Sequence, residues 1–215
     1  MTPPAALSPL ALAHLASVYL VWGSTYLAIR FGVAVWPPFV LGTVRFLVAG
    51  LGMLAAAKIL GHKLALDRRS AVTCLITGFF LFVFGNGAVL LAEQTTSSGL
   101  VAILIATTPI WMTLAAWLLG TGRRPSLRVV LSFVLGLSGV GALVVNGGTV
   151  TPPNVLLLML GSAVWASASV WMAKRDPQGS LLVRSAYEML AGGAGFLALA
   201  LGHGDLARLG PAMLA

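Results

Sequence analysis

Seven stretches of the sequence are apolar for about as long as a helix must be to cross a bilayer, whose hydrocarbon core of roughly 30 Å takes about 20 residues. They run over Leu10–Ile29, Phe39–Ala57, Ala71–Ala92, Gly99–Gly120, Val129–Val145, Val155–Ala173 and Leu181–Gly202. Hydrocarbon offers no water to an unpaired N–H or C=O, so each stretch is expected to satisfy its own backbone as a helix. The connections are short and rich in turn residues: Pro37-Pro38, Asp67, Ser97-Ser98, Arg124-Pro125, Gly147-Gly148, Pro152-Pro153 and Pro177–Gly179. None has room for a soluble domain. With 59% hydrophobic and 8% charged residues, and a mean hydropathy of +0.98, the surface could not be solvated by water.

The net charge of +8 belongs to topology and not to nucleic acid, because the cations sit in the gaps between apolar runs without interleaved aromatics. Lys58, Lys63, Arg68 and Arg69 follow helix 2, Arg123, Arg124 and Arg128 follow helix 4, and Lys174, Arg175 and Arg184 follow helix 6. The opposite side has only Arg30 and Arg208. Ten against two places the N-terminus and the even-numbered exits in the cytoplasm. The single cysteine, Cys74, excludes an intramolecular disulfide framework and a CxxC metal site. No cleavable leader is expected, since the first nine residues lack Lys and Arg and the run from Leu10 is long enough to span. His14, His62 and His203 are scattered, and HExxH, paired carboxylates, a nucleophile elbow and a P-loop are all missing from the sequence. Neither an enzyme nor a metal or cofactor is expected.

The chain repeats itself at one offset of 143 residues (165 minus 22): Trp22 falls on Trp165, Ser24 on Ser167, Arg45 on Glu188, Leu47 on Leu190, Gly50 on Gly193 and Gly61 on Gly204. Five helices separate the two units, an odd number, so they face opposite ways across the bilayer. Inverted repeats are a transporter design, with a site between the halves near the midplane. The units divide the chain into residues 1–147 and 148–215. A full second unit would end near residue 286 (twice 143), so three helices of an expected ten have no counterpart. A piece of a ten-helix protein is expected, the alternative being a shortened relative that needs a partner, such as a second copy, to complete its bundle.

WGSTYLAIR at Trp22–Arg30, the Pro-Pro turn and RFLVAG at Arg45–Gly50 resemble the first repeat of EamA-type members of the drug/metabolite transporter superfamily. GNGAVLLAEQTTSSGLVAILIATTPIWM at Gly85–Met112 resembles the same family's third and fourth helices. The likeness is strongest from Trp22 to about Gly141. It implies an all-α polytopic membrane protein of ten helices in two inverted five-helix repeats, placed in the inner membrane. It implies movement of small metabolites, often export of amino acids or toxic compounds, by alternating access. The substrate itself is not supplied by the family.

Within that frame Arg45 is the leading candidate for a substrate contact. A charge a third of the way into helix 2 must face the bundle or a water-filled cavity, as an anion anchor or as a structural Arg bonded to helix-end carbonyls. Glu188, its repeat partner, lies a third of the way into helix 7 from the other side. It is read either as a proton-accepting carboxylate, with protons as coupling ion, or as a structurally paired one. Trp22 and Trp165, with Ser24 and Tyr26 nearby, are the aromatic candidates for a cavity wall or for interface belts. Asn86, between two glycines, lines the cavity or locks two helices. Pro109 removes a backbone donor in mid-helix, so a freed carbonyl needs a hydroxyl, water or substrate, which brings in Thr108 and Trp111. Glu93-Gln94 at the end of helix 3 is either a solvated interface or part of an outer gate.

Overall fold

The computed structural model describes residues 8–146 and 151–208. They form seven long helices: α1 Pro9–Val35, α2 Pro38–Ile59, α3 Arg68–Ala92, α4 Ser98–Leu118, α5 Leu127–Asn146, α6 Pro152–Arg175 and α7 Leu181–His203, followed by a 3₁₀ turn, Asp205–Arg208. Six are long and apolar enough to cross a membrane, and the apolar part of α5 is shorter, Leu127–Leu143. The expected all-α polytopic membrane protein is borne out. The turn expected at Gly147-Gly148, and with it the division at residue 147, lies outside the described residues.

Each boundary has a local cause. Ser8, Asp67 and Ser180 accept from the N–H three residues on, at Ala11, Ser70 and Val183, which satisfies donors a helix start leaves orphaned. Proline opens α1, α2 and α6, where its missing N–H costs nothing. Gly204, in the left-handed region at φ 72°, closes α7.

Antiparallel neighbours bring the helix ends and loops that carry these ten cations to one end, called the basic end below. There the Gln178 N–H donates to Ser70 Oγ and Lys174 Nζ to the Leu119 carbonyl. At the opposite end Asn154 bonds Thr95 and Thr96, and Phe39 meets His203 edge-on.

The most extensive pairing is α2 with α7, and α3 packs across α7 and α6. Glycines set these distances. A Cβ on Gly78 would lie 2.1 Å from the Glu188 carbonyl oxygen, one on Gly192 would strike Phe82 and one on Gly42 would strike Phe196. Phe46 stacks on Phe196 at 5.8 Å between ring centres and meets Phe82 at 4.4 Å. Gly50 receives Leu190, and Gly193 receives Leu47. The residues paired by the 143-residue offset thus meet crosswise in one interface.

Two helices depart from regular α geometry. In α3, Phe79–Asn86 winds as a π-helix, a form that concentrates at functional positions. In α4 the helix breaks at Ala106-Thr107 and restarts at Thr108. Pro109 cannot donate to Ile105, and the Thr108 hydroxyl donates to that carbonyl instead, at 2.5 Å. Thr107 does the same for Leu104, at 2.7 Å. The break falls beside Pro109, and the carbonyl that Pro109 frees is satisfied by the neighbouring threonine.

Candidate functional site

Arg45 lies in the eighth position of α2, about 10 Å of helix rise from its start. Its guanidinium carbon stands 5.1 Å from the centre of the Phe46 ring, and Nη1 is buried with no hydrogen-bond partner. Facing it from the end of α3 is Glu93, which is 0% exposed and has neither carboxylate oxygen hydrogen-bonded. The two attract each other, and Arg30 adds to the field at Glu93, yet no ion pair joins them among the described residues. Arg30 of α1 spends Nη1 on the backbone carbonyl of Glu93 and leaves the carboxylate free. Burial pushes that carboxyl up to about 7, against the pull of both arginines.

Burying opposite charges without pairing them is expensive, because hydration is lost and the compensating close-range attraction is not fully collected. The arrangement becomes favourable when a polar group enters between them. An anionic group would meet Arg45, and a cationic group or a proton would meet Glu93.

Aromatic rings of α1 and α6 lie near Glu93, the buried Tyr26 and the exposed Trp22 among them. Tyr26, buried on α1, feels the charge of Glu93. Its hydroxyl accepts from Trp22 Nε1 at 3.1 Å. Trp22 meets Trp165 of α6 edge to face, 6.4 Å between ring centres, and Trp165 occupies the space a Cβ on Gly85 would need. Asn86 follows, half-buried, with no side-chain hydrogen bond among the described residues. Contacts thus run Tyr26–Trp22–Trp165–Gly85, with Tyr26 in the field of Glu93.

Other candidates stand apart. Ser24 is exposed and donates to the Val21 carbonyl, and Thr108 is committed to Ile105. Trp111 keeps a buried Nε1 without a partner on α4. Gln94 is exposed beside the buried Glu93 and donates to Leu91. Glu188 lies on α7 with its backbone against Gly78 of α3, in the field of Arg184 on its own helix. Glu188 Oε1, Thr77 Oγ1 and Arg184 Nε are all buried and unpartnered there, a second polar cluster nearer the basic end. A groove of about 270 Å³ lined by Leu54, Leu64, Leu75, Tyr187 and Leu190 and another of about 310 Å³ between α4 and α6 include neither Arg45 nor Glu93. Arg30 and Asn154 are the site's neighbours that sequence reasoning missed. Arg30 had a signal, as a cation on the wrong side of the charge bias. Asn154 had none beyond being polar at a helix start.

Comparison with known proteins agrees with this architecture. The chain is 36% identical over 181 residues to the uncharacterized inner membrane transporter YedA of Escherichia coli (strain K12), covering 82% of this chain and 57% of YedA. It is 28% identical over 163 residues to the uncharacterized transporter YvbV of Bacillus subtilis (strain 168), covering 74% and 52%. With YoaV of the same organism the identity is 20% over 180 residues. The chain thus spans a little over half the length of the curated relatives it matches. No solved structure matches it. Residues 9–145, which carry α1 to α5 except the last residue of α5, match the EamA-like transporter family, and the chain belongs to that family.

Proposed function

We propose that this chain forms the substrate site of a secondary transporter of the inner membrane that exports small metabolites, amino acids or toxic compounds, by alternating access. The observation that carries the proposal is the unpartnered Arg45 facing the unpartnered, fully buried Glu93. An amino acid presents a carboxylate to the first, an ammonium to the second and a side chain to Trp22, Tyr26 and Trp165. The crosswise fit of Gly50 with Leu190 and Gly193 with Leu47 supports two related units of opposite orientation, residues 1–147 and 148–215. The ten-to-two distribution of Lys and Arg toward the two ends of the helices supports a cytoplasmic N-terminus. Glu93 and Glu188 are the carboxylates through which protons would couple to transport.

Everted membrane vesicles carrying the full-length protein, given a panel of labelled amino acids, test this reading. Accumulation of at least one amino acid is expected. Arg45→Ala abolishes it while leaving the protein's level in the membrane unchanged, and a protonophore collapses it. Transport that survives Arg45→Ala removes Arg45 from the site, and failure of every amino acid removes that substrate class.

A second reading, a membrane subunit completed by a partner or a second copy, is favoured by α1. Only 6% of its most apolar window is buried. Concentration-dependent dimerisation without flux would select it.

A further inference from the structure

The turn between α3 and α4, residues 93–97, carries the carboxylate of the proposed site and is held from two sides by other helices. Arg30 of α1 donates to the carbonyl of Glu93. Asn154, in the first turn of α6, donates from Nδ2 to the hydroxyl oxygens of both Thr95 and Thr96, each at 2.8 Å. The backbone N–H groups of Thr95 and Thr96 are already spent on the Ala92 carbonyl, so the two hydroxyls are the turn's attachment points to α6. A connecting turn at the end of a bundle is ordinarily solvated. Here Glu93 and Thr96 are fully buried, with Gln94 and Thr95 exposed on the outer surface of the turn.

We propose that Asn154 is a latch: its amide holds the α3–α4 turn closed over Glu93 and Arg45, and its release opens the site toward the end opposite the basic one. Both restraints are hydrogen bonds made by side chains, so they break without unravelling a helix or separating the phenylalanine core. The ties at the basic end, Gln178 to Ser70 and Lys174 to Leu119, join helix ends and cover neither Arg45 nor Glu93. The latch rests on the reading of Arg45 and Glu93 as the substrate site, since that is what it covers.

Cysteine accessibility tests it without any substrate. Cys74 is the single native cysteine, so Ala92→Cys in a Cys74→Ala background places one thiol under the turn, at a residue that is 0% exposed. A membrane-impermeant maleimide is applied to each face of the membrane separately. Asn154→Leu should raise labelling about tenfold, the scale of losing two neutral hydrogen bonds, and only from the face that bears Asn154. Asn154→Asp should keep the parent rate, because a carboxylate accepts from both threonine hydroxyls. The double variant Thr95→Val/Thr96→Val removes the same bonds from the other side and serves if Asn154→Leu fails to fold. Labelling at the parent rate in the variants that lack the bonds, an equal rise from both faces, or labelling in Asn154→Asp as fast as in Asn154→Leu would each overturn the latch. A negative result leaves the substrate site standing, because that is judged by transport in the Arg45 variant.

Discussion

Glu93 sits one residue beyond the last turn of α3, yet no part of it reaches solvent. The sequence offered a polar pair at a helix end and could not say which member turns inward. The structure buries Glu93 and exposes Gln94, because the α3–α4 turn folds back and Arg30 takes the Glu93 carbonyl. Burial raises the carboxyl from its ordinary 4.5 to about 7, and the sign of the pH dependence follows. Between those values the folded protein holds a proton that the unfolded chain has released, so stability falls as pH rises. The contribution is fully present below 4.5 and is lost once pH passes 7. Melting of the purified protein in detergent should therefore shift downward across this window, and Glu93→Gln, which cannot ionise, should reduce the slope. A slope unchanged in Glu93→Gln would exclude Glu93 as its source.

The helices themselves were legible, because a run of about 20 apolar residues has few alternatives in a membrane. Pro109 was legible for a similar reason, since the missing donor follows from the residue type alone. The π-helix of α3 was not, as Phe79–Asn86 reads as an ordinary apolar run. Nor are the packing glycines read correctly from sequence. Gly136, with Ser132, Gly139 and Gly141, reads as close helix packing in helix 5, yet a Cβ on any of the three glycines would meet nothing within 4 Å. Gly78 carries no separate signal, whereas a Cβ on it would meet the backbone of Glu188 at 2.1 to 2.5 Å. Gly78→Ala must push α3 from α7 and should cost at least the ~1–3 kcal/mol typical of overpacking. Gly136→Ala should be neutral or gain up to ~1 kcal/mol from helix propensity. Thermal melting of the two variants side by side checks both signs, and equal behaviour would mean that the α3–α7 crossing yields more easily than backbone contact allows.

At the scale of the molecule, the offset of 143 residues joins landmarks that are mostly common residue types, and the pairing of α2 with α7 gives some of them a physical partner. Arg45 and Glu188, equivalent by that offset, form no pair among the described residues; Arg45 faces Glu93, just beyond α3, instead. Equivalence by a sequence offset says nothing about contact between charges. Small residues facing large ones are another matter. Gly50 would meet Leu190 Cγ at 2.9 Å, and Gly193 would meet Leu47 Cδ2 at 2.7 Å, so one contact is made twice with the roles of the helices exchanged. If the two units are related, the two contacts should respond alike. Gly50→Leu and Gly193→Leu should each destabilise by a similar amount, ~1–3 kcal/mol. Each loss should be partly recovered by shortening the side chain it strikes, through Leu190→Ala for the first and Leu47→Ala for the second. Residues in contact give non-additive cycles, with coupling of ~0.5–3 kcal/mol, whereas distant ones add. Mismatched combinations, Gly50→Leu with Leu47→Ala or Gly193→Leu with Leu190→Ala, place the enlarged and shortened residues on the same helix and should show little recovery. Equal recovery in matched and mismatched doubles would show that α2 and α7 respond as loosely packed helices and would remove the reciprocal contact as support for two related units.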